Sequence, residues 1–107
     1  MSPRFELAHS GTRLAVRLGC DAIGRRNVRP VTQLLSALSL GCPDLDLDLG
    51  EVRYVTSAGL RGLANLHRYL RGSGGSLAVV NPSPMVREIL SVTRMDKVFE
   101  VLPHKAA

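Results

Sequence analysis

At 107 residues the chain has the length of one domain with a single modest core. Its 45% hydrophobic content excludes a disordered chain, and its 4% aromatic content means a core of Leu, Val, Ile and Ala. A formal charge of +5 and a pI of about 10.0 suit an acidic partner but do not identify nucleic acid.

The N-terminal "MSPRFELAHSG" holds no apolar stretch of signal-peptide length, and no later run approaches the length of a membrane span. Cys20 and Cys42 share no CxxC spacing and are expected to be reduced and partly buried, as in a cytoplasmic protein, rather than bridged or metal-bound. "RFELA" and "TRLAVRL" alternate around "HSG", which predicts a β-hairpin turning at Ser10-Gly11. Phe5 and Leu7 fall on one face of its first strand. Leu14, Val16 and Leu18 fall on one face of the second.

"NVRPVTQLLSALSLG" shifts to helical spacing through Val31, Leu34, Leu35 and Leu38, with Pro30 in the first turn and Gly41 at the stop. "CPDLDLDLG" alternates strictly and predicts a strand. Asp44, Asp46 and Asp48 have the spacing that opens a calcium loop, but Leu49 stands where that loop needs glycine and Val55 where it needs glutamate. No metal is expected.

"SAGLRGLANLHRYLRG" predicts a helix burying Leu60, Leu63, Leu66, His67 and Leu70, with Arg61, Asn65, Arg68 and Arg71 outward. "SLAVVN" predicts a buried strand, and "SPMVREILSV" a helix capped by Ser83 with Pro84 first and Val86, Ile89 and Leu90 inward. "KVFEVL" supplies a short final strand. The alternation favours an α/β sheet with right-handed crossovers.

His9, His67 and His104 have no shared metal-ligand spacing, and His67 reads as a core or boundary residue. No Cys/His pair has a third orienting residue identifiable in the sequence, so hydrolase chemistry has no positive support, and a phosphate-binding glycine loop is lacking; no catalytic residue and no cofactor is expected. "GRRNVR", Gly24 to Arg29, is the densest basic stretch, but it has little aromatic interleaving and no nucleic-acid recognition motif.

The unusual stretch is "VRYVTSAGLRG", Val52 to Gly62, where a strand meets a hydroxyl pair and small residues. Ser57 as an N-cap would accept a hydrogen bond from the first turn, worth about 1 kcal/mol. Capping does not explain Gly59, because glycine weakens a helix by about 1 kcal/mol relative to alanine. Small residues at that cost leave room for something to come close.

"LDLGEVRYVTSAGLRGL" resembles the signature of STAS domains, especially the bacterial anti-sigma factor antagonists. "GGSLAVVNPSPMVREILSVTRMDKVFEV" is similar to the same family's C-terminal part. The resemblance implies a single STAS domain over 1–107, its core roughly 4–102. The implied α/β fold has a mixed four- to five-stranded sheet, an N-terminal hairpin, and three to four helices packed on it. It also implies a partner switch. The antagonist binds an anti-sigma factor that is a serine kinase, releasing a sigma factor; phosphorylation breaks the complex and a serine phosphatase restores it.

Carried over, Ser57 is the phosphoacceptor, with Thr56 a secondary one, and the protein is not an enzyme. The partner surface would comprise Gly24, Arg25, Arg26, Thr56, Ser57, Ala58, Gly59, Leu60, Arg61 and Gly62, with Gly59 and Gly62 bordering it. Two acids usual in the family are replaced, one by Thr56 and one by Gly24. The same resemblance admits a STAS subunit docking on the ATPase of an ABC-type lipid transporter, without phosphorylation, and the residues alone admit an anion or nucleotide binder using the Ser57 helix terminus with Arg25, Arg26 and Arg61. Nucleic acid ranks last, and membrane insertion is not expected.

Overall fold

The structure is a computed structural model, and it describes residues 5–10, 13–41 and 44–102. Five strands form the main sheet in the order β1-β2-β4-β6-β7: β1 Phe5–Ser10, β2 Arg13–Leu18, β4 Asp44–Asp48, β6 Ser76–Val80 and β7 Glu100–Leu102. β1 and β2 are antiparallel, with Leu7 opposite Val16, and every other pairing is parallel. The hairpin is therefore as expected, although its turn at Gly11 lies outside the described residues.

A second, parallel pair joins β3 Ala22–Ile23 to β5 Tyr54–Val55. Two-residue strands carry no readable period, so the sequence did not predict this pair. Three helices follow the connections: α1 Val28–Leu38, α2 Ser57–Gly72 and α3 Pro84–Val92. A short 3-10 turn, Met95–Lys97, leads into β7, so the final strand begins only at Glu100 and Phe99 drops into the core, 3% exposed.

The core follows the alternation. Leu14, Val16 and Leu18 of β2 meet Leu45 and Leu47 of β4 and Leu77 and Val79 of β6, all buried. Leu60, Leu63, Leu66 and Leu70 of α2 close over them, with Val31 and Leu35 from α1 and Val86 and Leu90 from α3. Each such side chain contributes roughly 1.5–3 kcal/mol over its exposed state. Of the expected core residues, Leu38, His67 and Ile89 are only partly buried and two are exposed. Leu34 is 37% exposed on the flank of α1, and Leu7 is 52% exposed because β1 is an edge strand.

The aspartates of β4 face away from the core, and two of them, Asp46 and Asp48, are held by arginines. Arg13 Nε lies 3.1–3.2 Å from both carboxylate oxygens of Asp46, and Arg17 Nε lies 3.5 Å from Asp48 Oδ2. Among the described residues no group of three or more His, Cys, Asp or Glu could hold a metal ion.

Ser83 stands at the N-cap position of α3 but does not cap it. Its hydroxyl donates instead to the carbonyl of Val52 at 2.6 Å, tying α3 to the approach of β5. No helix among the described residues is long and apolar enough to cross a membrane.

Candidate functional site

β5 delivers the chain to α2, and the residue that caps the helix is Thr56, not Ser57. Thr56 is extended, and its Oγ1 accepts the amide of Gly59 at 3.2 Å. Its own amide donates to the Ile23 carbonyl at 3.0 Å, and its carbonyl receives Leu60 N–H at 2.8 Å. The expected cap at Ser57 is thereby corrected by one residue. Ser57 is the first helical residue, it is exposed, and its hydroxyl has no hydrogen-bond partner among the described residues.

The glycines answer the question of what comes close. A Cβ on Gly59 would stand 2.3 Å from the carbonyl oxygen of Ile23 and 2.9 Å from Val55 Cγ1. One on Gly62 would stand 2.2 Å from Val28 Cγ2 of α1. The small residues thus seat the start of α2 against this chain's own β3 and α1. Gly59 and Gly62 were expected to border a partner surface, but both point inward. Leu60 is also beneath that surface, at 6% exposure.

Gly24 lies against the site from the other side, since its Cβ would meet Thr56 Cγ2 at 3.0 Å. Asn27 shapes this loop. Its Oδ1 accepts the Gly24 amide at 2.9 Å, and its Nδ2 donates to the Ala22 carbonyl at 2.7 Å. The Gly24 carbonyl then accepts the amides of Asn27 and Val28, at 3.1 and 2.8 Å, as α1 begins. Arg25 and Arg26 project from the loop and are exposed.

The structure therefore gathers Gly24, Arg25, Arg26, Thr56, Ser57, Ala58 and Arg61 around one helix start, with Gly59, Leu60 and Gly62 as its footing. Arg53 and Tyr54 join them. The two backbone amides donate to the Asp21 carbonyl at 2.6 and 3.2 Å, and Tyr54 is 51% exposed. The alternation with buried Val55 was the available signal for the outward Tyr54.

His67 and Cys20 take no part in these contacts. Leu77 N–H donates to His67 Nδ1 at 3.2 Å, and the ring meets Phe99 edge-on at 6.2 Å. Burial, then the charge of Arg71, lowers its pKa from the usual histidine value. Burial, then Asp21, pushes the free Cys20 thiol up, away from the reactive thiolate. Cys42 and His104, and the side chain of His9, lie outside the described residues.

A family model described as "Mlab, STAS domain" matches residues 5–103. A Thermotoga maritima protein named, provisionally, an anti-sigma factor antagonist is 30% identical over 64 residues, which are 60% of this chain and 57% of that protein. The chain thus spans little more than half the length of that curated relative.

Among solved structures, an anti-sigma factor antagonist from Mycobacterium paratuberculosis superposes with a TM-score of 0.80 at 25% identity, covering 95% of this chain and 86% of the other. The phosphorylated form of the Bacillus cell fate determinant SpoIIAA superposes with a TM-score of 0.65 at 16% identity, over 92% and 90% of the two chains, a likeness of fold alone. With a match along nearly all of its length, the chain belongs to the STAS domain family.

Proposed function

We propose that this protein is an anti-sigma factor antagonist whose binding to an anti-sigma factor and serine kinase is controlled by phosphorylation of Ser57. The observation that carries the reading is the Ser57 hydroxyl, exposed and uncommitted at the first position of α2 because Thr56 has taken over the cap. Relatives named as anti-sigma factor antagonists support the partner class, and the Bacillus protein of like fold was solved phosphorylated.

The protein is the substrate in this switch. Phosphate at a helix N-terminus is favourable by about 0.3–1 kcal/mol, so α2 stays folded when Ser57 is modified. What changes is the surface, which gains bulk and a charge of about −1.5 to −2. Release of the partner follows from that local change, and a serine phosphatase resets it.

The test is incubation with the anti-sigma kinases of its host and Mg-ATP, with any phosphate mapped by peptide mass. Phosphate on Ser57, absent from Ser57→Ala and accompanied by loss of kinase binding, is the expected result. The absence of both binding and phosphate across the kinase set would refute the reading.

One observation favours a second reading. Thr56 stands where the family commonly has an acid, and the loss of that acid suits a STAS subunit that docks on an ABC transporter ATPase without being phosphorylated. A stoichiometric complex with such an ATPase distinguishes it.

A further inference from the structure

The charge of this protein is segregated. The strands turn one face away from the core, and there Glu6, Asp44, Asp46, Asp48 and Glu100 outnumber Arg13 and Arg17. The two stretches that meet at Ser57, residues 21–29 and 53–62, carry five arginines against one carboxylate, Asp21. All five, Arg25, Arg26, Arg29, Arg53 and Arg61, are exposed, and none has an ion pair among the described residues. Unpaired like charges repel one another and raise the energy of the free protein.

We propose that this arginine face is a docking surface for an acidic protein segment, which supplies the carboxylates the arginines lack. A protein is favoured over nucleic acid by what stands among the charges. The basic residues of both stretches are all arginine, with no lysine. Exposed Tyr54 belongs to the second stretch, and Met85, 56% exposed, stands in the first turn of the helix that packs on β5. Arginine, tyrosine and methionine are enriched at protein interfaces, where lysine is depleted. Arginine also pairs bidentately with carboxylates.

The inference rests on the partner-switch reading and deepens it by giving the partner's chemistry. Phosphate on Ser57 would place a second anion where the two arginine-bearing stretches meet. The two anions then compete for the same guanidinium groups, which is a route to release without any change of fold.

The test uses the full chain in its own host with benzoylphenylalanine installed in place of Tyr54, photolysis, and mapping of the joined peptide by mass. The expected product is a protein segment rich in Asp and Glu. Its yield should fall about tenfold when Arg25→Glu and Arg26→Glu are combined, and survive Arg25→Lys with Arg26→Lys. Melting curves of the variants confirm that these exposed changes leave the fold intact.

A non-acidic segment, a nucleic-acid adduct, no photoproduct, or a yield indifferent to charge reversal each overturns the proposal. The two readings fail separately. An acidic partner that is not an anti-sigma factor refutes the partner switch and leaves the docking inference standing. An anti-sigma factor joined through a non-acidic segment does the reverse.

Discussion

Replacing Gly59 by alanine tests the packing beneath the site, because two effects of similar size oppose each other. Helix propensity favours alanine by about 1 kcal/mol. Against it, the new methyl would stand 2.3 Å from the Ile23 carbonyl oxygen, a backbone atom that cannot rotate away. The start of α2 must lift, straining the Thr56 N–H bond to the same carbonyl, now 3.0 Å. Overpacking of this kind typically costs about 1–3 kcal/mol, so with the propensity gain subtracted Gly59→Ala is expected to destabilise by up to about 2 kcal/mol net.

Gly72, in the last turn of the same helix, has nothing within 4 Å of its would-be Cβ and supplies the control. Gly72→Ala is expected to stabilise by up to about 1 kcal/mol. Urea denaturation with midpoints and slopes compared measures both. If the two substitutions shift stability in the same direction, the close approach of α2 to β3 is wrong.

Thr56→Ala should cost about 1 kcal/mol by removing the cap, whereas Ser57→Ala should stay within about 0.5 kcal/mol, as equilibrium unfolding will show. Asp48, 2% exposed, has a buried Oδ2 with no hydrogen bond and only the Arg17 ion pair at 3.5 Å facing it, so Arg17→Met should cost about 1–3 kcal/mol. Arg13→Met breaks a more exposed pair and should cost no more than about 1 kcal/mol, both read from urea midpoints. His67, its pKa lowered by folding, gives stability that is full above its ordinary value of 6.5 and lost as pH falls from there through the folded value. The slope of stability against pH over that range should shrink in His67→Gln, as thermal melts can measure.

The long alternations and helical stripes were legible because burial imposes them. Leu45 and Leu47 against Asp44 and Asp46, or Leu60 to Leu70 in α2, could occupy no other arrangement with one face dry. The position of Ser57 was also legible, through its match to a family signature. Its local role was not, since Thr56 and Ser57 both make good caps and only the backbone dihedrals decide which one stays outside the helix. Gly59 and Gly62 signalled a close approach, but a glycine does not say who approaches. Ile23 and Val28 were hidden because their contacts cross more than thirty residues of chain. Leu7 and Leu34 obeyed their periods and still emerged half in water, because a period fixes direction without guaranteeing a neighbour.

The loop held by Asn27 has a consequence for association. Four hydrogen bonds, one accepted and one donated by the Asn27 side chain and two accepted by the Gly24 carbonyl, fix the backbone that carries Arg25 and Arg26. Ordering a free loop costs about 1–2 kcal/mol per residue in lost backbone entropy. Here that cost is met during folding, so a partner arriving at Arg25 and Arg26 finds their backbone already set and more of the contact energy remains as affinity.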